Sequence, residues 1–186
     1  MMPHTDDASS VLYGVLENTL VGTIAVWVTR NGVRRVGWVR QGMIEGDSWS
    51  HTDDNILTTT FKQIREYLKG NRKSFDLDLD FSGATNFQKR VFKRLMDIPY
   101  GRIVSYRDIA KDLGDPLSAR AVGQAVGANP LPILVPCHRV VRSDGRLGGF
   151  SGGLHRKIAL LGVERVDVEG SQSESKVRPE VLRLPL

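Results

Sequence analysis

The residues best suited to chemistry stand four in a row, Pro136-Cys137-His138-Arg139. Cys137 is the only cysteine of 186 residues. An intramolecular disulfide is therefore impossible, as is a zinc site built on several cysteines. A thiol reacts as its thiolate, a form that a nearby imidazole or cation favours. His138 is adjacent, but neighbours in a plain strand point to opposite faces. Pro136 argues for a bend that would let the imidazole work on the thiol through a water. The same residues also fit a core cysteine beside an exposed histidine.

Several elements must position this segment. Ile133 to Val141 is mostly apolar and reads as buried. Asn129-Pro-Leu-Pro132 ends whatever helix precedes it, because proline disfavours the helical region in the residue before it. Upstream, Thr85 to Gln88 and Ser105 to Asp108 have the form of capping boxes, each opening a helix. The second runs through Leu113 to Gly114, and a third spans Ala119 to about Ala128. Two short helices joined by a glycine-containing turn outline a helix-turn-helix. Downstream, Gly148 to Gly153 is a glycine-rich loop, and Leu154 to Leu161 reads as a last helix.

The N-terminal part is built differently. Gly22 to Val28 and Val33 to Val39 read as strands joined at Asn31-Gly32, a hairpin signal because both residues tolerate positive φ. Asn55 to Lys69 repeats apolar residues at helical spacing and stops at Gly70. In Ser74 to Phe81 the apolar side chains alternate with Asp76, Asp78 and Asp80, which predicts a strand with a solvated acidic face. The fold class expected is α+β: an N-terminal antiparallel sheet with a helix, then a mostly helical domain with a helix-turn-helix. The divisions expected are a disordered 1–10, a β-rich 11–82, a mostly helical 83–165 that carries the cysteine segment, and a flexible tail 166–186.

The net charge of +5 and pI near 9.6 favour an acidic partner, of which nucleic acid is the commonest. No N-terminal signal and no bilayer-length apolar run is present, so the expectation is a soluble cytoplasmic protein, nuclear in a eukaryote. His4, His51, His138 and His155 are scattered without ligand spacing, and no metal or cofactor is expected.

The stretch from Asn129 to Val141, Asn-Pro-Leu-Pro-Ile-Leu-Val-Pro-Cys-His-Arg-Val-Val, resembles the active-site signature of the O6-alkylguanine-DNA alkyltransferases. Ile103 to Ala110 is similar to that family's first helix-turn-helix element, Ala119 to Gly123 to its recognition helix, and Gly148 to Leu154 with Lys157 to its substrate loop and following helix. The resemblance covers Thr85 to Glu164. It implies that Cys137 is nucleophile and alkyl acceptor, that His138 takes its proton through water, and that Glu164 orients the imidazole. It implies that Asn129 fixes the loop and that Tyr106 helps turn the nucleotide out and protonates the leaving base. Arg120 would fill the vacated stack, with Ala119, Ala121, Gly123 and Ser105 along the DNA. Val140, Ser151, Gly148, Pro132 and Lys157 would form the base pocket.

The implied activity is irreversible transfer of the alkyl group from O6-alkylguanine in flipped-out duplex DNA to Cys137, once per molecule. Whether O4-alkylthymine is also repaired stays open. The partner implied is double-stranded DNA, met in the minor groove by a monomer. Small residues on the recognition helix predict weak sequence preference. A non-enzymatic damage binder, a cysteine hydrolase and a sequence-reading regulator are the other classes. The intact Cys137 argues against the first. Tyr106, Arg120 and the helix-turn-helix argue against the second. The small-residue recognition helix argues against the third.

Overall fold

The structure, a computed structural model, describes residues 11–39, 55–170 and 175–177. The expectations for residues 1–10 and for the last residues of the chain lie outside these.

Strands β1 (Leu12–Thr19), β2 (Gly22–Thr29) and β3 (Gly32–Trp38) form an antiparallel sheet in sequence order. Its inner face carries Ile24, Val26, Val28 and Val33, all essentially buried. Helix α1 (Asn55–Leu68) covers that face with Leu57, Ile64 and Tyr67. Their spacing of seven and three residues puts them on one stripe. Full burial of each such side chain contributes about 1.5–3 kcal/mol.

The hairpin between β2 and β3 turns at Arg30-Asn31, but only Gly32 takes a positive φ, of 118°. Asn31 does not, so the turn is not the type expected from the Asn-Gly pair. Glycine is required at position 32 for a second reason: a Cβ there would lie 2.2 Å from the Asp78 carbonyl oxygen.

That contact belongs to the segment expected as a strand. Residues 74–81 instead run extended, with a single bridge between Leu79 and Val33. The Gln63 side chain takes up both backbone groups of Asp76, at 2.8 and 2.9 Å, in place of a neighbouring strand. Nor is the acidic face uniformly solvated. Asp80 is buried and accepts from Thr29, Arg34 and the Ser82 N–H. These bonds outweigh burial and hold its carboxyl below the ordinary range.

The second half is mostly helical: α2 (Asn86–Met96), β4 (Val104–Ser105), α3 (Tyr106–Asp112), α4 (Ala119–Gly127), β5 (Val140–Val141) and α5 (Leu154–Val163). Both capping boxes are present, Thr85 with Gln88 and Ser105 with Asp108. Helices α3 and α4 pack together as the helix-turn-helix, with Gly114 at φ 89° between them. The parallel pair β4–β5 ties the start of α3 to the segment after Cys137.

The described part of the expected flexible tail is packed. Strand β6 (Val168–Glu169) pairs with β7 (Lys176–Val177), and Arg146 bridges to Lys176. Val166 and Val177 are buried with Ile103, Val141, Leu147 and Leu161. The valines on either side of the polar stretch supply the apolar contact that its composition conceals. Among the described residues no helix is long and apolar enough to cross a membrane.

Candidate active site

Pro136 has φ −78° and ψ 61°, and the Cys137 N–H donates to the Val135 carbonyl at 2.7 Å. This is an inverse γ-turn. One turn of 3-10 helix, Cys137–Arg139, follows directly. The segment is therefore not a strand, and Cys137 and His138 are not sent to opposite faces. Asn129 spans the approach: its Nδ2 donates to Val135 O at 2.9 Å and its Oδ1 accepts from Leu131 N at 3.0 Å. Between them Ile133 is held at φ 77°, a conformation that strains a β-branched residue.

His138 is wholly buried, and its Nε2 lies 2.9 Å from Glu164 Oε1. Nε2 faces a carboxylate and so carries the proton, which leaves Nδ1 as a bare acceptor. Nδ1 is buried without a hydrogen-bond partner among the described residues. Burial lowers the imidazole pKa, more than Glu164 raises it, and keeps the ring neutral.

Glu164 ends α5 and is 2% exposed. Arg139 grips it with Nε at 3.0 Å from both carboxylate oxygens and Nη2 at 2.7 Å from Oε1. The Gly101 N–H donates to Oε2 at 2.9 Å, and the Tyr67 hydroxyl donates to Oε1 at 2.7 Å. Burial raises the carboxyl pKa, but the hydrogen bonds and charges of His138 and Arg139 outweigh it and bring it down to about 2.

Cys137 is 4% exposed, and burial pushes its thiol up. The Asn129 side chain, the Lys157 charge and the local backbone N–H groups oppose that rise without cancelling it. At rest the group is a thiol, and it needs a base. Lys157 is also buried; its ammonium donates to Val140 O at 2.5 Å and to Leu147 O. Burial lowers it to about 8. Half-buried Tyr106 has its phenol raised by burial and by the charge of Cys137, and it lies against Gly148.

The expected pocket residues do not share one cavity. Ser151 and Pro132 line a groove of about 1060 Å³ against the outer face of the sheet. Gly148 lines a different one with Arg142 and Arg146. The buried Lys157 ammonium is used on two carbonyls, Val140 O and Leu147 O. Val140 is buried and its carbonyl is taken by Lys157. Ser105 is not free for DNA either: its hydroxyl is spent on Asp108, as the cap of α3, and the residue is buried.

Arg120 is exposed near the start of α4. It lines a groove of about 670 Å³ with Ala119, Gly123, Gln124, Tyr106, Arg107 and Arg142. Ala121 is exposed on the same helix.

Four other residues escaped the sequence reading. Tyr67 and Gly101 reach Glu164 from distant parts of the chain. Trp38 packs edge-on against Phe150 at 5.6 Å and beneath the Arg156 guanidinium at 5.3 Å. Arg156 itself donates to Val21 O at 2.7 Å and Gly152 O at 2.6 Å, pinning the glycine loop to the sheet. A Cβ on Gly152 would meet the Trp38 ring at 2.5 Å. No spacing rule reveals such pairings.

Comparison with known proteins agrees with this geometry. Residues 11–81 match the 6-O-methylguanine DNA methyltransferase ribonuclease-like domain, and residues 86–166 match the DNA binding domain of the same protein. The chain is 47% identical over 113 residues to the methylated-DNA–protein-cysteine methyltransferase of Mycobacterium tuberculosis, covering 61% of this chain and 68% of that protein. It is 38% identical over 154 residues to that of Methanosarcina acetivorans, covering 82% of this chain and 97% of that protein. The crystal structure of Mycobacterium tuberculosis OGT in complex with DNA superposes with a TM-score of 0.71 at 37% identity, over 82% of this chain and 92% of that one. Fold, cysteine site and relatives converge: the chain belongs to the methylated-DNA–protein-cysteine methyltransferase family.

Proposed function

We propose that this protein repairs DNA by moving the alkyl group of O6-alkylguanine onto Cys137. The observation that carries the reading is the histidine next to the sole cysteine. Its Nε2 is held by a buried carboxylate and its Nδ1 is bare. Such an imidazole is prepared to receive one proton. His138 takes the thiol proton through a water, and Lys157 steadies the thiolate. The sulfur attacks the alkyl carbon, an S–C bond forms, and the O6–C bond breaks with its electron pair on guanine. Tyr106 protonates the departing base. In net terms the thiol hydrogen ends on guanine and the alkyl group on sulfur. A thioether has no leaving group for this machinery, so each molecule acts once.

A target atom inside a duplex is out of reach of a cysteine this deeply buried, which supports a flipped nucleotide. Arg120 in the groove beside Tyr106 suits the vacated stack. Small residues along α4 suit close approach to the minor groove with weak sequence preference. We further propose units at 11–82 and 83–165, Ser151 as a donor to the flipped base, and a monomer acting in the cytoplasm, where thiols stay reduced.

The test is the mass of the intact protein and of its peptides after mixing with a duplex carrying one O6-methylguanine. One methyl on the Cys137 peptide, saturating at one per molecule, is the expected result. Cys137→Ser should retain binding and gain no mass. Methyl transfer by that variant, or mass gain elsewhere, would overturn the reading.

A further inference from the structure

We propose that Tyr67, on the helix of the N-terminal sheet domain, is a positioning residue for the transfer: it sets which nitrogen of His138 carries the proton. The inference rests on the function proposed above. Tyr67 lies at the C-terminal turn of α1, far in sequence from the cysteine segment, yet it is wholly buried against it. Its ring packs on Phe75 at 5.3 Å and edge-on to Tyr100 at 6.2 Å. The hydroxyl sits 2.7 Å from Glu164 Oε1 and 3.1 Å from His138 Nε2.

A phenol has one hydrogen to give. The carboxylate is the stronger acceptor, and burial together with Glu164 raises the phenol pKa, so the hydroxyl stays protonated and donates there. Its oxygen then turns a lone pair to Nε2. Nε2 thus faces two oxygen acceptors, Glu164 and Tyr67, and neither has a hydrogen to offer it. The proton on Nε2 is fixed from two sides, and Nδ1 is left bare for the proton of Cys137. The opposite tautomer would place a bare Nε2 against a carboxylate oxygen at 2.9 Å and would leave Cys137 without a base.

The phenol also draws on the negative charge that Glu164 presents to His138. The charged groups facing this cluster are Arg139 and Glu164, with Tyr100 beside Tyr67 and with Lys157, itself close to Cys137, near the imidazole. Tyr67→Phe keeps the ring and removes one donor. The undiluted carboxylate then raises the His138 pKa and holds the ring protonated to higher pH.

The experiment follows methyl transfer from O6-methylguanine duplex under single-turnover conditions, across pH, for the wild type and Tyr67→Phe. The ¹⁵N shifts of the His138 ring are read in the wild-type protein and in the variant. We expect a rate reduced tenfold or more at neutral pH, unchanged DNA affinity, and an acidic limb moved to higher pH. In the wild type Nδ1 should show the bare, pyridine-like shift and Nε2 the protonated one; in the variant Nδ1 should move toward the protonated value at a higher pH than in the wild type. A bare Nε2 in the wild type would overturn the inference even if the variant failed to fold. A slower variant with an unmoved limb and unmoved shifts would assign Tyr67 to packing alone and overturn it equally. Failure of the wild type itself to gain a methyl on Cys137 would instead count against the function on which the inference rests.

Discussion

Glu164 remains ionised although buried because six hydrogen bonds from Tyr67, His138, Arg139 and Gly101 replace its hydration. Removing one partner from such a pair costs far more than the pair contributes, since the other charge is left stranded. Arg139→Met should therefore destabilise the protein by about 3–5 kcal/mol, read as a shifted midpoint in urea. A loss below about 1 kcal/mol, the value of an exposed pair, would show that water reaches the carboxylate. At this scale the sequence displays Cys137, His138 and Arg139 because they are contiguous. Glu164 is visible only through the family resemblance. Tyr67 and Gly101 are invisible, because their contacts with Glu164 cross 97 and 63 positions of chain. Ser105 was legible as the cap of α3, and its hydroxyl is bonded within that cap.

Helix α4 is the element on which DNA docking would depend in the function proposed above. Arg120 stands exposed near its start, away from the buried bonds around Glu164. Arg120→Ala should slow repair of a duplex by ten- to a hundredfold while leaving reaction with free O6-methylguanine base within about twofold. The order of magnitude expected is that of one charge-assisted contact, about 1.5–3 kcal/mol. Equal losses on the two substrates would remove Arg120 from the flipping step. The helices themselves were legible, because capping boxes and apolar periodicity are local signals, and both boxes are present. The 74–81 segment was not. Alternation shows that a backbone is extended, but not whether a neighbouring strand or a lone glutamine completes its hydrogen bonds. The turn at Arg30-Asn31 missed in the same way, since the approach of Asp78 to Gly32 sets its geometry.

For the whole molecule, the buried charges predict how folding responds to acid. The Glu164 carboxyl is held at about 2 against an ordinary 4.5. A depressed folded-state pKa gives stability that is complete above 4.5 and lost as pH falls toward 2. Its size is roughly 3 kcal/mol at most. His138, also lowered, adds a loss that begins as pH drops below 6.5, because the unfolded ring takes up a proton that the folded one refuses. Urea unfolding at a series of pH values should show stability declining from near pH 6 and steeply below 4.5. A curve flat down to pH 3 would mean that neither group is held as described. The two-part α+β plan was legible in the change from β-branched alternation to helical spacing at Ser82-Gly83-Ala84. The way the parts meet was not. Tyr67, Trp38 and Arg156 join them through contacts that only the folded chain reveals.

The enclosure of Cys137 has a consequence for how long a molecule stays usable. A thiol that is 4% exposed and pushed up by burial offers little thiolate to peroxide, glutathione or any other small reagent in solution. Under the single transfer proposed above, a molecule is depleted by every stray modification as surely as by a lesion. The burial of the sulfur would then work as a preservative, keeping fresh molecules intact until a damaged base arrives.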